Sequence, residues 1–241
     1  MQTQTANRSD AFRVVPVRYR APLVSLSTTS HVGADSAGVA SLDQSMRLMG
    51  TTMSYPRNTE IFGEDESADY IYKVLSGSVR TYKLMSDGRR QIGRFYLPGD
   101  IFGLQFIDEN VFSAEAITDA KVLVVKRSAL NVMANQDAAI ARELFALTSR
   151  ELRRMQKRIL LLIKSAQERV ASFLLEMAER APAGDFIELP MSRQDIADYL
   201  GLTIETVSRT LTALESCAAI EVPTSRRIVL RNRSALSRMN G

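Results

Sequence analysis

Three side chains on one short segment carry groups suited to reading a patterned surface. In MSRQDIADYLGLTIETVSRTLTALE, residues 191–215, Glu205, Ser208 and Arg209 bring a carboxylate, a hydroxyl and a guanidinium to successive turns of a helix whose apolar stripe requires none of them. A planar guanidinium can bond guanine O6 and N7 together, a carboxylate can accept from cytosine N4, and a hydroxyl can approach a neighbouring base. A carboxylate facing a polyanion is otherwise repelled, so Glu205 makes sense there chiefly as a base reader. Taken alone, ETVSR has a plainer explanation: a solvated helix face with a Glu–Arg pair four residues apart.

The neighbouring residues must position those groups. Ser192 and Asp195 form a capping box for a helix through Leu200, and Gly201 supplies the left-handed turn that stops it. Thr203 is a suitable N-cap for a second helix running to about Cys217. Ala197 is small where two helices would cross closely, and Ile196, Leu200, Val207, Leu211 and Leu214 supply a shared core. This is a helix-turn-helix, whose second helix enters the DNA major groove with its N-terminal turns nearest the bases. Ser192, Arg193, Thr203 and Thr206 are then candidates for the DNA backbone. AAIEVPTSRRIVLRN follows as two β-runs around PTSRR, a wing with Arg226 and Arg227 at or near its tip to touch phosphates.

Composition removes most competing chemistries. The 241 residues carry a formal charge of +4, which fits an acidic polymer partner without requiring one. One cysteine and one histidine allow no intrachain disulfide, no four-ligand zinc site, no four-thiolate iron–sulfur cluster and no histidine-rich metal centre of the cupin kind. Histidine-based catalysis loses its main candidate too, because His31 sits in a Ser/Thr/Ala-rich leader. The expectation is a non-enzyme with no cofactor and no metal. No run approaches about 18 apolar residues and the N-terminus lacks a signal-peptide core, so a cytoplasmic protein without a membrane partner is expected. Cys217 closes the second helix, either as a small residue tucked under the wing or as a thiol reporting oxidation to the helix–wing junction.

Upstream, residues 1–40 lack a sustained period and suggest a flexible leader. From 41 to 136 the texture is β-rich: IYKVL, SVRTYKL, QIGRFYL and KVLVVK are separated by turn signals, of which Asp87-Gly88 is the strongest hairpin signal in the chain. Residues 137–164 are helical. Ala141, Phe145, Thr148, Leu152, Met155, Ile159, Leu162 and Ala166 are spaced 4, 3, 4, 3, 4, 3, 4, a heptad seam, with Arg150, Arg153, Arg154, Lys157 and Arg158 keeping the opposite face in water. Leu160, Leu161 and Ile163 suggest a second apolar side for the chain's own sandwich, which leaves the seam from Phe145 to Leu162 for a second copy in a parallel homodimer. Residues 165–241 then hold a further helix, the short strand FIELP, the helix-turn-helix and the wing. The fold class expected is α+β: a β-roll (jelly roll), a long dimerisation helix and a C-terminal winged helix-turn-helix.

From about residue 42 the chain resembles the CRP/FNR superfamily of bacterial transcription regulators. YIYKVLSGSVRTYKLMSDGRRQIGRFYLPGDIFG, residues 70–103, is similar to its cyclic-nucleotide-binding-type sensor fold. Ile204-Glu205-Thr206-Val207-Ser208-Arg209 matches the FNR-type E-x-x-S-R pattern, which implies TTGA-type half-sites. Where nucleotide binders of the superfamily carry a Glu after the Gly-Asp turn and an Arg-Ser pair beyond, this chain has Leu104 and Phe112-Ser113, so cyclic AMP is not expected. The leader has no cluster cysteines, and nothing near His31 or the methionines forms a recognisable haem pocket. The resemblance therefore points to the FixK-like branch: activators acting on RNA polymerase without a cofactor, with microaerobic respiration and nitrogen-fixation genes among their targets. A CRP-like regulator gated by an unidentified small molecule in the β-roll is the alternative.

Overall fold

The computed structural model describes residues 35–104, 108–161, 163–180 and 186–239. Most of the expected leader, with His31, lies outside the described residues, as does Leu162 of the seam. The chain opens with helix α1 (Asp35–Met49), which runs across the boundary expected at residue 40. Eight strands follow: β1 (Thr51–Tyr55), β2 (Glu60–Phe62), β3 (Tyr70–Ser76), β4 (Val79–Leu84), β5 (Arg90–Tyr96), β6 (Ile101–Phe102), β7 (Ser113–Ala116) and β8 (Ala120–Lys126). They form two antiparallel sheets of order β1-β8-β3-β6 and β2-β7-β4-β5. The Asp87-Gly88 hairpin forms as expected between β4 and β5, pairing Val79 with Tyr96 and Leu84 with Arg90, with Gly88 at φ +83°. At the β3–β4 turn a Cβ on Gly77 would lie 2.2 Å from the carbonyl oxygen of Asp119, so only glycine fits.

The space between the sheets is filled by the chain itself. Phe62, Tyr72 and Phe102 are buried there with Val74, Val79 and Val122. Tyr72 stacks on Phe102 at 5.0 Å between ring centroids, Tyr96 lies 4.8 Å from Phe102 and Phe62 lies 5.1 Å from Tyr72. Such offset and tilted ring contacts add to area burial and leave a fixed, apolar interior.

Two more helices, α2 (Arg127–Gln136) and α3 (Ala138–Leu161), complete this half. The sequence reading did not separate α2 from the β-roll. Ile140 and Leu144 of α3 bury with Leu42 and Met46 of α1 and with Ile71, Leu123 and Val125 on the sheet. The side of α3 facing the chain's own sandwich is therefore its N-terminal half. Leu160 and Ile163, expected to do this, are 58% and 85% exposed. The seam also ends sooner than its heptads suggest, because Ala166 begins a separate helix, α4 (Ala166–Arg180).

The last core gathers α4, β9 (Ile187–Glu188), α5 (Arg193–Leu200), α6 (Ile204–Ser216), β10 (Ile220–Thr224), β11 (Arg227–Leu230) and α7 (Arg233–Met239). The three strands pair in the order β10-β11-β9. Phe173 and Leu174 of α4, Ile196 and Ala197 of α5, Val207, Leu211 and Leu214 of α6 and Leu236 of α7 bury together. Ile92, Phe95 and Ile117 of the β-roll belong to the same apolar cluster, so the two halves share a packed boundary.

Candidate nucleic-acid interface

Local chemistry builds the two crossing helices as the sequence suggests. Ser192 Oγ accepts from the Asp195 amide at 3.1 Å while Asp195 Oδ2 accepts from the Ser192 amide at 2.9 Å, a reciprocal cap on α5. Gly201 ends α5 at φ 65°, ψ 42°, and Thr203 caps α6 by accepting from the Thr206 amide at 3.2 Å. Val207, Leu211 and Leu214 turn inward, which sends Glu205, Ser208, Arg209 and Thr212 to the opposite, exposed face of α6. The three expected base readers thus share one open surface on the first two turns of the helix.

The electrostatics of that surface favour a polar partner. The backbone amide of Glu205 and the Thr203 hydroxyl hold the Glu205 carboxyl below its ordinary range, with a smaller contribution from Arg209. Among the described residues Glu205 and Arg209 form no close ion pair, so both side chains remain open to solvent on this face. Thr212 Oγ1 donates to the Ser208 carbonyl at 3.2 Å, and Ser208 itself is exposed.

The residues expected at the DNA backbone are less uniform. Ser192 Oγ also donates to Asp195 Oδ2 at 2.8 Å, so its hydroxyl serves the cap. Thr203 and Thr206 face each other at 3.0 Å between hydroxyl oxygens. Arg193 is half-buried, one terminal nitrogen is enclosed without a partner, and burial pushes its guanidinium pKa down. At the wing turn Arg226 is half-buried and donates to the Pro190 carbonyl at 3.1 Å, while the Arg227 guanidinium lies 3.5 Å from the centroid of the Phe186 ring. Neither is a free tip: Arg226 fastens the wing to the α5 entry, and Arg227 stacks on the domain's own aromatic ring. Cys217 is exposed at the end of α6, not tucked under the wing, and its thiol contacts the Leu214 carbonyl at 3.3 Å.

On α3, Phe145, Leu152, Met155 and Ile159 are 76%, 58%, 55% and 64% exposed, and Thr148 is exposed with its hydroxyl bonded to the Leu144 carbonyl at 3.0 Å. Arg158, expected to stand in water, instead turns inward, donating to the carbonyls of Ile92 (2.6 Å) and Gly93 on β5 and of Tyr199 (3.0 Å) on α5. Sequence reasoning also missed Arg80 and Arg90. Both reach from the β-roll to Asp195, and no periodicity or spacing marks them.

Comparison with known proteins places this arrangement. Residues 168–239 match the Crp-like helix-turn-helix domain, and residues 52–137 match the cyclic nucleotide-binding domain. The chain is 51% identical over 203 residues to the nitrogen fixation regulation protein FixK of Azorhizobium caulinodans, covering 82% of each. The chain belongs to the CRP/FNR family of transcription regulators, with the FixK proteins. The FixK protein of Rhizobium meliloti is 41% identical over 191 residues, covering 79% of this chain and 86% of that protein. The solved structure of FixK2 from Bradyrhizobium japonicum superposes with a TM-score of 0.78 at 51% identity, covering 80% of this chain and 98% of that one. In this CRP/FNR-family chain the expected β-roll and winged helix-turn-helix are present, and Glu205, Ser208 and Arg209 lie on the second helix of the latter. Its fold class is therefore as anticipated, and its relatives regulate transcription. Among the described residues no helix is long and apolar enough to cross a membrane.

Proposed function

We propose that the chain is a homodimeric activator that binds palindromes of TTGA-type half-sites without a bound cofactor and directs bacterial RNA polymerase to nitrogen-fixation or microaerobic genes. The observation that carries this reading is the open face of α6, where Glu205, Ser208 and Arg209 stand together opposite a fully buried stripe. Arg209 bonds a guanine in a bidentate manner, Glu205 accepts from a cytosine amino group and Ser208 touches a neighbouring base. Arg193, Thr203, Thr206 and Arg227 line the approach to the phosphates, with Ser192 holding the start of α5. Phe145, Thr148, Leu152, Met155 and Ile159 are the seam for the second copy.

Cofactor independence is supported by the packed aromatic interior of the β-roll and by its polar groups. Leu104 packs with the α1–α3 cluster, and Ser113 Oγ accepts from the Glu64 amide at 2.9 Å. Neither Leu104 nor Phe112 supplies the glutamate or the arginine that nucleotide binders of the superfamily carry at those positions. A second reading, gating by a small molecule, rests on a cleft of about 240 Å³ between the Gly99-Asp100 turn and α3, lined by Lys73, Arg94, Asp100, Arg150 and Glu151 among others.

Selection from random DNA by purified protein, with no additive, tests the reading. The expected product is a dyad of TTGA-type half-sites about one helical turn apart. Arg209→Ala should weaken binding by roughly 1–3 kcal/mol and relax choice at one guanine. Recovery of no dyad, or an unchanged motif with Arg209→Ala, would overturn it.

A further inference from the structure

We infer that Arg80 and Arg90 of the β-roll are positioning residues for DNA recognition. Through Asp195 they fix how the reading helix is held against the β-roll, and thereby which half-site spacing the protein accepts. The inference rests on the dimer reading above.

Asp195 divides its two oxygens between two tasks. Oδ2 accepts from the Ser192 amide (2.9 Å) and hydroxyl (2.8 Å), closing the cap of α5. Oδ1 accepts from Arg80 Nη1 at 2.8 Å and from Arg90 Nη2 at 2.6 Å, both across the boundary between the two halves. The network extends on each side. Arg80 Nη2 donates to Glu115 Oε2 at 2.9 Å, Arg90 Nε donates to Asp198 Oδ2 at 2.9 Å, and Gln91 Nε2 donates to the Asp198 carbonyl at 2.7 Å. Asp195 is 3% exposed and Arg80 is 8% exposed, so these charges are held out of water.

Burial decides what such a network does. Replacing a buried ion pair by well-packed apolar side chains is often neutral or stabilising, because desolvation offsets much of the attraction, whereas removing one partner leaves a charge stranded. Stability alone therefore gives little reason for two arginines and three carboxylates at this boundary. Direction does. The apolar part of the boundary, where Phe95 meets Phe173 and Tyr199 at 6.3 and 5.2 Å, is non-directional and would allow sliding and rotation. Four bonds to the first two turns of α5 would not. Because α5 and α6 share Ile196, Leu200, Val207 and Leu211 across the tight Gly201 turn, an α5 fixed on the β-roll also fixes α6.

In a dimer this matters for DNA. One inserted base pair moves a half-site by about 3.4 Å and turns it by about 35°. A held reading helix cannot follow that change, and a loosened one can.

Asp195→Asn and Arg90→Ala separate this role from folding. Asparagine offers one acceptor oxygen where aspartate offers two and carries no charge, so it cannot serve Ser192 and both guanidiniums, and the cross-boundary bonds are weakened in either amide orientation. Arg90→Ala changes no residue of α5 and keeps the Ser192–Asp195 cap, while removing the bonds to Asp195 and Asp198. Cys217, the sole cysteine, lies at the end of the reading helix, so a nitroxide label on it measures the distance between the two helices of a dimer. The wild type should give a narrow distance distribution and lose affinity roughly tenfold or more when one base pair is added to the spacer. Both variants should broaden the distribution and reduce that penalty to about twofold, with the half-site letters unchanged. Equally narrow distributions with equally strict spacing in the variants would overturn the inference, as would a uniform loss of affinity at every spacing. Absence of any dipolar signal in the wild type would overturn the dimer reading and this inference with it.

Discussion

Ala218 holds a backbone conformation that its side chain resists. It follows Cys217 at the end of α6 with φ +54°, in the left-handed region that glycine enters freely and alanine does not. The strain is local, since the Ala218 and Ala219 amides both find carbonyls, Glu215 at 2.9 Å and Leu214 at 3.0 Å. Ala218→Gly should therefore stabilise the winged domain by about 0.5–1 kcal/mol, with calorimetry showing a rise of a few degrees in Tm and DNA affinity unchanged. At this scale the sequence was informative wherever a side chain bonds its own neighbourhood: the Ser192–Asp195 box, the Gly201 stop and the Thr203 cap all form as spacing implies. It was least informative where partners are far apart in the chain. Arg226 looks like a phosphate contact until Pro190 receives its guanidinium, and Asp195 looks like a cap alone until two arginines more than a hundred residues away reach it.

Among the elements, α3 is where periodicity both guides and misleads. The heptads pick out Phe145, Leu152, Met155 and Ile159, which stand exposed in the single chain, as a seam for a second copy requires. The same periodicity carried the seam into Ala166, although Ser165 and Glu168 cap one another there: Ser165 Oγ accepts from the Glu168 amide at 3.3 Å and Glu168 Oε2 accepts from the Ser165 amide at 2.7 Å. That S-x-x-E signal was present in the sequence and marks the start of α4. Met155→Glu with Ile159→Glu should dissociate the dimer, since facing charges on an apolar seam lose the burial that holds it, and sedimentation velocity should then give a single-chain mass. An intact dimer in that double variant would remove α3 as the seam. The first helix makes a different prediction. A hydrogen bond from the Lys73 ammonium holds the Asp43 carboxyl below its ordinary pKa, with Arg47 adding to the effect. A depressed folded pKa contributes stability that is present above the unfolded value, about 3.9, and is lost as pH falls through the folded one. Amide exchange in α1 should accelerate below about pH 4 more than in β3, and Asp43→Asn should abolish that difference.

For the molecule as a whole, a sensor-type domain is retained while its interior is occupied by its own rings. Leu104 and Phe112 replace the Glu and Arg expected of a nucleotide binder and are legible in the sequence, but the ring cluster of Phe62, Tyr72, Tyr96 and Phe102 was not, because residues from four strands meet only after the sheets close. The order β-roll, long helix, winged domain was legible because each part carries its own period and punctuation. The boundary between β-roll and winged domain was not, since it is built from apolar and charged side chains scattered over separate strands and helices. Cyclic AMP added to the purified protein should change its DNA affinity by less than about twofold, whereas a ligand-gated relative requires a shift of several kcal/mol. Strong stimulation in a fluorescence-anisotropy titration would restore the small-molecule reading.

The exposed apolar side chains of α3 carry a quantitative consequence on the dimer reading. If the protein also acts without a bound ligand, as proposed above, the information it conveys is its own abundance. At levels below the dissociation constant of the seam, the amount of DNA-competent species rises as the square of the amount of chain. A threefold rise in synthesis would then produce roughly a ninefold rise in dimer, so a promoter would respond to a modest change in expression with a threshold rather than a slope. The strength of the contact made by Phe145, Leu152, Met155 and Ile159 would set where that threshold lies, and a conservative change there, such as Ile159→Val, would move it without altering a single contact to DNA.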